Sequence, residues 1–337
     1  MNIEAFNISN GTSQSGVSCN RDNTMARVLF PILYTLLFFT GAILNILSTW
    51  VFFQIPSTSF FVIYLKSTLL ADLVMCLMLP FKIATDSGVA PWQVKAFVCR
   101  FSAVVFYVTM YISIIMLGLI ALDRFLKIVQ PFGKPWIQNV TLAKIISTCV
   151  WLVMFGLSLP NITLTNKEAT PSSVRKCSSL KNQAGLQWHA AVNYVCQFIF
   201  WAVFVLIILF YTIITKKVYE SYKNSKSRAV ETKNRLNVKV FIVVAVFFVC
   251  FAPFHFTRVP YTLSQTGGVS DCRVQKQLFI AKEGTLWLAA TNICMDPIIY
   301  IFLCRAFREK LICMLLRRDT SSSRDTAVTQ INNETTM

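Results

Sequence analysis

Charge is scarce in this sequence. Asp, Glu, Lys and Arg together make up 14% of its 337 residues, whereas an ordinary soluble domain is about 25% charged. Hydrophobic residues make up 55%, so the chain lacks the polar residues needed to cover a water-soluble surface. Gly and Pro number only 11 each, too few for a disordered or fibrous chain. A polytopic membrane protein is the class that remains.

Histidine is rarer still. The chain has two histidines, which excludes most histidine-rich metal sites. It also contains no His-Glu-x-x-His pattern, no Gly-rich phosphate loop and no paired general acid and base. We therefore expect a protein that binds a ligand without catalysis, with no cofactor and no metal centre of these kinds. The net charge of +17 lies in short clusters between apolar runs, which argues against a nucleic acid partner.

Long uncharged runs predict where the chain crosses the bilayer. A helix needs about 20 mostly apolar residues to cross roughly 30 Å of hydrocarbon. Seven such segments are present, so we predict an all-α membrane protein with a seven-transmembrane helix bundle. They lie near 28–53, 60–86, 101–122, 145–166, 182–215, 240–257 and 277–304.

The flanking segments complete the predicted domain organisation. Residues 1–27 form an extracellular segment and residues 28–304 the helix domain. Residues 305–316 place Phe307, Leu311 and Leu315 on one side, which is typical of a short amphipathic helix on the membrane surface. Residues 317–337 are expected to be a disordered cytoplasmic tail.

The amino-terminal segment indicates the orientation. It is polar and lacks the apolar region of a cleavable signal peptide. It also carries glycosylation sequons at Asn7 and Asn10, which favour an outside location. With the amino terminus outside, most basic residues fall on the cytoplasmic side, as the positive-inside rule requires. We therefore expect a plasma-membrane protein with an extracellular amino terminus and a cytoplasmic carboxyl terminus.

Four cysteines fall in outward segments, where the environment is oxidising. They are Cys19, Cys99, Cys177 and Cys272, and they allow three pairings. We favour Cys99 with Cys177, which would tie the third span to the following outer loop, and Cys19 with Cys272.

Two acids lie inside predicted spans, where charge is costly and indicates function. Asp72 is in the second span and Asp296 in the seventh, with Asn45, Ser113 and Asn292 at similar depth. Their hard oxygen ligands suit a small cation such as Na⁺. The alternative is that these groups hydrogen-bond one another and hold the bundle together.

Six short motifs, in order along the chain, resemble the pattern of rhodopsin-like G-protein-coupled receptors. They are Asn45, Leu70-Ala71-Asp72, Asp123-Arg124-Phe125, Trp151, Phe247 to Pro253, and Asp296-Pro297 followed by Ile298-Ile299-Tyr300. The sequence departs from the pattern at Phe125, Phe251 and Asp296, which replace a tyrosine, a tryptophan and an asparagine, and it lacks the usual proline of the fifth span. The resemblance implies a G-protein switch formed by Asp123, Arg124 and Tyr300.

Further strings resemble the ADP-recognising branch of the purinergic nucleotide receptors, which couples to inhibitory G proteins. They include Ala90-Pro91-Trp92-Gln93, Phe106-Tyr107-Val108-Thr109-Met110-Tyr111, Ser158-Leu159-Pro160-Asn161 and Ala281-Lys282-Glu283. The resemblance implies that the base lies near Tyr107, Asn161 and Asn193. It also implies that His189, Lys181, Arg258, Tyr261, Gln265 and Lys282 face the phosphates.

The outer charges point to an anion without any resemblance. Arg258 and Lys282 lie at the outer ends of the sixth and seventh spans, and Lys181 lies just ahead of the fifth. Guanidinium and ammonium groups are the usual partners of phosphate, although a single cation at a helix end also suits a lipid headgroup. The full predicted ligand set adds aromatic and polar neighbours: Tyr107, Tyr111, Asn161, Lys181, His189, Asn193, Phe254, His255, Arg258, Tyr261, Gln265 and Lys282.

These features predict a receptor for an extracellular nucleoside diphosphate, with ADP favoured. The same fold binding a nucleotide sugar or a lysophospholipid is one alternative, and a polytopic transporter is another. The basic stretch 216–239 is the expected docking site of an inhibitory G protein. The Ser- and Thr-rich tail is the expected site of phosphorylation for arrestin, and Thr335-Thr336-Met337 matches the terminal chemistry of a PDZ ligand.

Overall fold

The computed structural model describes residues 24–129, 139–175, 177–223, 229–265, 271–314 and 316. Within them the chain is almost entirely helical and has no strand. Seven helices are long and apolar enough to cross a membrane, which confirms the predicted all-α seven-helix bundle. These first to seventh spans are Ala26–Phe53, Phe60–Asp86, Trp92–Val129, Val140–Thr163, Gln183–Lys217, Ile242–Ser264 and Cys272–Leu303.

The helices extend beyond some of these apolar stretches. A π-helical turn, Val98–Ser102, joins the two α-helical parts of the third span, and two 3-10 turns, Ser173–Arg175 and Cys177–Leu180, precede the fifth. The α-helices are Thr24–Phe53, Phe60–Asp86, Trp92–Phe97, Ala103–Val129, Val140–Thr163, Gln183–Lys223, Ala229–Gln265, Cys272–Ala290 and Asn292–Leu303.

The third and seventh spans begin earlier than the uncharged runs predict, at Trp92 and Cys272. The prediction excluded charged residues, so Lys95 and Arg100 hid the first turns of the third span. The seventh span starts early because Asp271 caps it, its carboxylate accepting a backbone N–H from two residues further along at 2.8 Å.

The third span lies at the centre of the bundle and packs against the second, fourth and fifth spans. Ile112, Met116 and Ile120 of this span are fully buried. The fourth span is peripheral, and its Leu152 and Val153 are exposed. Such an apolar outer face suits lipid, whose acyl chains are as apolar as leucine side chains.

Pro297 disturbs the seventh helix in a way that the first span repairs. Because proline has no N–H, the carbonyl of Ile293 loses its helical donor. The Asn45 side chain supplies a replacement, since its Nδ2 donates to the Ile293 oxygen at 2.8 Å. Gly41 permits this approach, because a Cβ there would lie 2.6 Å from Cδ1 of Ile293. The first and seventh spans are thereby held in close contact.

One disulfide, between Cys99 and Cys177, ties the loop after the fourth span to the third span, and their Cα atoms are 5.1 Å apart. This confirms the favoured pairing. Cys272 is also disulfide-bonded, while its predicted partner Cys19 lies outside the described residues. We call this end of the bundle the disulfide end, and the opposite end, which carries Arg124, the Arg124 end.

At the Arg124 end, residues 305–314 form a further helix. Phe307 of this helix is buried, with its ring centroid 4.9 Å from that of Phe52 and 5.8 Å from that of Tyr300. The short helix is thus anchored to the first and seventh spans by the residue that the amphipathic pattern places on its apolar side. The predicted tail 317–337 and the sequons at Asn7 and Asn10 lie outside the described residues.

Candidate ligand-binding site

An aromatic pair and an arginine form the centre of a polar region at the disulfide end. The rings of Tyr107 and Phe254 stack with their centroids 6.1 Å apart. The guanidinium carbon of Arg258 lies 5.0 Å from the Tyr107 centroid and 5.8 Å from the Phe254 centroid. A cation at this distance from a ring is attracted by its electron-rich face, so the rings hold the guanidinium in place.

Arg258 is held by an amide instead of a carboxylate. Its Nη2 donates to Oδ1 of Asn193 at 2.8 Å. Lys181 is held in the same way, because its Nζ donates to Oδ1 of Asn161 at 3.0 Å. Both cations are buried, with 5% and 6% of their surface exposed, and neither pairs with an acid in the described part of the chain. A buried charge needs a partner to offset its lost hydration, and an anion would supply one for both cations.

Burial also acts on the acid–base equilibrium of Lys181, which lies in the loop just before the fifth span. The loss of water around its ammonium group lowers the pKa of Lys181 to about 8. A neighbouring anion would favour the charged form and raise this pKa again. Binding of an anion and protonation of Lys181 are therefore coupled.

Both histidines belong to this region but occupy different environments. His189 is partly exposed and lies within electrostatic reach of Arg258, Lys181 and Lys282. His255 is fully buried beneath the aromatic pair, and its two ring nitrogens lie 2.8 Å from the Phe251 carbonyl oxygen and 3.1 Å from the Tyr111 hydroxyl. His189 is thus placed to meet a ligand, whereas His255 supports the floor of the region.

Lys282 differs from the other two cations because it has a counterion. Its Nζ is ion-paired with Oε1 of Glu283. The second oxygen of Glu283 accepts from Lys82 at 3.0 Å, and Lys82 also reaches Asp86 at 2.8 Å. The Lys282 ammonium lies 5.2 Å from the Tyr261 ring centroid. We call Lys82, Asp86, Lys282 and Glu283 the four-charge cluster; sequence reasoning identified only its Lys282.

Two amide atoms near Arg258 are buried without a partner in the described residues. The Oδ1 of Asn193 accepts from Arg258, which leaves its Nδ2 as an unused donor. The Nε2 of Gln197 donates to the His255 carbonyl oxygen at 3.0 Å, which leaves its Oε1 as an unused acceptor. The fifth span therefore presents one donor and one acceptor, one helical turn apart. Gln197 was missed from the sequence, where its only signal is its spacing from Asn193.

Not every predicted ligand residue can be placed. Gln265 ends the sixth helix, but its side chain lies outside the described part of the structure. Tyr111 is buried in the third span below Tyr107, in contact with His255. The remaining predicted residues converge at the disulfide end as described above.

The second polar region lies deeper, between the first, second, third and seventh spans, and consists of oxygen atoms. Asp72 and Asp296 are fully buried and interact directly. The Asn292 Nδ2 donates to Asp296 at 2.7 Å, and the Tyr300 hydroxyl donates to Asp72 at 3.3 Å. Five of the buried oxygens that have no hydrogen-bond partner in the described residues belong to the residues predicted for this region: Asn45 Oδ1, Asp72 Oδ1, Ser113 Oγ, Asn292 Oδ1 and Asp296 Oδ1.

Comparison with known proteins decides the family. The family "7 transmembrane receptor (rhodopsin family)" matches residues 44–300. The chain belongs to this family. Purinoceptor 13 of Homo sapiens is 60% identical over 317 residues, which cover 94% of this chain and 90% of the relative. Purinoceptor 13 of Rattus norvegicus is 62% identical over 307 residues, 91% of each chain. Purinoceptor 14 of Bos taurus is 43% identical over 317 residues, 94% of each chain.

These relatives make the chain a purinergic receptor within the rhodopsin family, and a multi-pass membrane protein. Family membership resolves one alternative left open by the sequence, because it places the chain among receptors and not among transporters. The family match runs from within the first span to near the end of the seventh and includes the two polar regions described above.

A third group of charges lies at the Arg124 end of the receptor, and these charges are paired. The Asp123 carboxylate lies 2.9 Å from Lys127 Nζ and 3.5 Å from Arg124 Nε. The Arg124 guanidinium also covers the ring of Phe61, with its carbon 3.5 Å from the centroid. Asp123 therefore has two cationic partners.

Proposed function

We propose that this protein is a plasma-membrane G-protein-coupled receptor for an extracellular nucleoside diphosphate, with ADP as the favoured ligand. The observation that carries the proposal is the pair of buried cations, Arg258 and Lys181, which hydrogen-bond to amides and have no acidic partner among the described residues. They lie on separate elements and face one region at the disulfide end. A ligand with more than one negative charge is the simplest compensation for both.

The phosphate groups are proposed to meet Arg258, Lys181 and Lys282, with His189, Tyr261 and Gln265 as further contacts. A guanidinium offers a planar fork to phosphate oxygens, while an ammonium acts as a point charge. The Asn193 and Asn161 amides that now hold the two unpaired cations are neutral, so a phosphate oxygen competes with them favourably.

The base is proposed to lie against Tyr107 and Phe254, within reach of Asn161 and Asn193. A flat aromatic ring stacks on such a surface. The unused Asn193 Nδ2 and Gln197 Oε1 complement a ring nitrogen acceptor and an amino donor, which adenine carries on one edge. Tyr111 and His255 support this surface from below. The name purinoceptor, borne by the relatives, agrees with a purine.

This assignment requires the disulfide end to face the cell exterior. Disulfides persist in oxidising surroundings, and the Cys99–Cys177 bridge therefore supports the orientation. In the proposed orientation the amino terminus, with the sequons Asn7 and Asn10, is outside and the carboxyl terminus is inside.

Signalling is proposed to pass to an inhibitory G protein at the Arg124 end, lowering adenylate cyclase activity. Asp123, Arg124 and Tyr300 are the proposed switch residues. Asp123→Ala should raise signalling without ligand, because it frees Arg124; Arg124→Ala should abolish signalling while ligand still binds. Measuring binding and G-protein activation on the same cells checks this, and loss of both together at normal expression would contradict it.

The five oxygens around Asp72 and Asp296 are proposed to hold Na⁺. Hard oxygen ligands suit a hard cation, and the unused lone pairs fit this ligand chemistry. Asp72, Asp296, Ser113, Asn292 and Asn45 would hold the ion. Because Tyr300 donates to Asp72, the same carboxylate joins the ion site to a proposed switch residue.

The carboxyl tail is proposed to bind two kinds of partner. Phosphorylated Ser and Thr residues would recruit arrestin, and Thr335-Thr336-Met337 would add a strand to a PDZ domain. Appending one Ala after Met337 should abolish PDZ capture without changing ADP affinity. Unchanged capture by the extended tail would contradict the PDZ assignment.

The test of the main proposal is a ligand panel on cells expressing the receptor and on matched cells without it. The panel contains ADP, other nucleoside diphosphates, nucleotide sugars and a lysophospholipid, with inhibitory G-protein activation as the readout. We expect ADP to be the most potent. A response to the lysophospholipid alone, with none to any nucleotide, would overturn the nucleotide assignment.

A further inference from the structure

The four-charge cluster separates Lys282 from the two unpaired cations. Both carboxylate oxygens of Glu283 are used, one by Lys282 and one by Lys82 at 3.0 Å. Lys82 is in turn shared with Asp86 at 2.8 Å. Two ammonium groups and two carboxylates thus balance within the cluster, which joins the second span to the seventh.

The cluster also borders the proposed ligand region. The Lys282 ammonium lies over the Tyr261 ring, and it interacts electrostatically with Tyr107. Only the Lys282 side chain therefore separates Glu283 from the position proposed for the phosphates, and Glu283 is 8% exposed. A negative charge this close to a buried anion site acts on the ligand with little screening by water.

The charges that surround the proposed phosphate position can be counted. Lys82, Lys181, Arg258 and Lys282 contribute four positive charges, while Asp86 and Glu283 contribute two negative ones, which leaves +2. A nucleoside diphosphate carries about −3 and a triphosphate about −4 at pH 7, because the terminal phosphate is mostly ionised. The site is short of positive charge for either ligand, and shorter for the triphosphate.

We propose that Glu283 limits how much negative charge a bound ligand can carry. Glu283 is the counterion that a terminal phosphate replaces on Lys282. Its carboxylate then repels any phosphate beyond that one. This proposal rests on the function proposed above. Lys82 makes the exchange feasible, since it keeps Glu283 paired after Lys282 turns to the ligand. The remaining carboxylate disfavours the additional negative charge of a triphosphate, as juxtaposed like charges do at other binding sites.

The test compares ADP and ATP on the parent receptor and on Glu283→Gln, which removes the charge but keeps the shape. We expect the potency of ATP relative to ADP to rise about tenfold in the variant, because the repelling charge is gone. The readouts are competition binding with purified nucleotides and surface expression, with an enzymatic trap that removes ADP formed from ATP. An unchanged ratio in a well-expressed Glu283→Gln receptor would overturn the proposal.

Asp86→Asn is the matched control. It removes the same charge from the same cluster, but Asp86 contacts Lys82 and has no ion pair with Lys282 among the described residues. We expect a clearly smaller change in the ATP to ADP ratio. An equal change in both variants would show that net charge alone matters and would refute a specific role for Glu283.

Lys82→Met supplies a second, independent readout. Without Lys82, Glu283 has Lys282 as its remaining partner and holds it more strongly, so affinity should fall for ADP and ATP alike. Adding Glu283→Gln to Lys82→Met should restore part of this affinity, and a failure to do so would contradict the exchange.

A parent receptor that binds no nucleotide would remove the proposed function itself, whereas normal ADP binding with an unaltered ratio would remove only the role of Glu283.

Discussion

The region at the disulfide end and the region around Asp72 and Asp296 are both buried and polar, but they are incomplete in opposite ways. The first contains Arg258 and Lys181, which have amide partners and no acid among the described residues. The second contains two carboxylates and further oxygens that have no hydrogen-bond partner, and no cation pairs with them among the described residues. Each region therefore suits an ion of the opposite sign, and the chemistry of each indicates which ion.

The charges at the Arg124 end show what a completed group looks like in the same bundle. Asp123 is paired with Lys127 and Arg124, and the four-charge cluster is balanced in the same way. Compared with these two balanced groups, the regions around Arg258 and around Asp72 contain buried charges without a partner of opposite charge among the described residues, a feature common at functional sites.

The largest effect should come from removing an unpaired cation. Arg258→Ala should lower ADP affinity about 10- to 150-fold, because a charge-assisted contact to phosphate is worth about 1.5–3 kcal/mol. Lys282→Ala should also weaken binding, but by less, since the ligand must displace Glu283 to reach Lys282. Competition binding on receptors of matched surface expression measures both.

Arg258→Lys is the control for this prediction. It keeps the charge and loses the planar fork, so its affinity should lie between those of the parent and Arg258→Ala. If Arg258→Ala binds ADP like the parent, the region at the disulfide end does not hold the phosphates. That region would then not be an anion site, in contrast to the cation site proposed around Asp72 and Asp296.

A smaller effect should follow from pH through Lys181. Its pKa of about 8 means that the charged form dominates below pH 8 and is lost above it. The anion binds the charged form, so ADP affinity should be nearly constant up to about pH 7.5 and fall about tenfold by about pH 9. The phosphate groups of ADP are already ionised in this range, so the ligand does not cause the decrease.

Lys181→Arg separates this effect from general alkaline damage, because arginine stays charged throughout the range. Its affinity should be flat from about pH 7 to about pH 9, measured by binding at constant ionic strength. A decrease of equal size in parent and variant would show that another group titrates.

Much of this arrangement was predictable from the sequence, and the parts that were not share a cause. Spans follow from uncharged runs, and Arg258, Lys181 and Lys282 were found because each stands near the end of a predicted span. Their different partners were not predictable. The ion pair of Lys282 with Glu283, its neighbour in the chain, was not predicted, and Lys82, which completes the four-charge cluster, comes from another span.

The same limit explains why Gln197 was missed. The unused oxygen of Gln197 is defined by a hydrogen bond to the backbone of the sixth span, which no local pattern reveals. The five oxygens of the deeper region were predicted as one group, because motif order along the chain indicates their depth. Depth is encoded locally, whereas pairing depends on which faces of the helices meet.

The smallest effect should come from the deeper region. If Na⁺ completes it, the purified receptor should be more stable in sodium chloride than in choline chloride of equal ionic strength. At a sodium concentration of about ten times its Kd, the gain is about 1.4 kcal/mol, which corresponds to a rise in Tm of about 2–4 °C for a protein of this size. Choline is too large to enter between the oxygens of Asp72 and Asp296, so it reports stability without the ion.

Asp72→Asn and Asp296→Asn should each remove the difference between the two salts, whereas Asp86→Asn, whose carboxylate belongs to the four-charge cluster, should retain it. Equal Tm values of the parent in both salts would mean that the oxygens are satisfied without a cation, through a proton shared by the two acids, and the deeper region would then be complete.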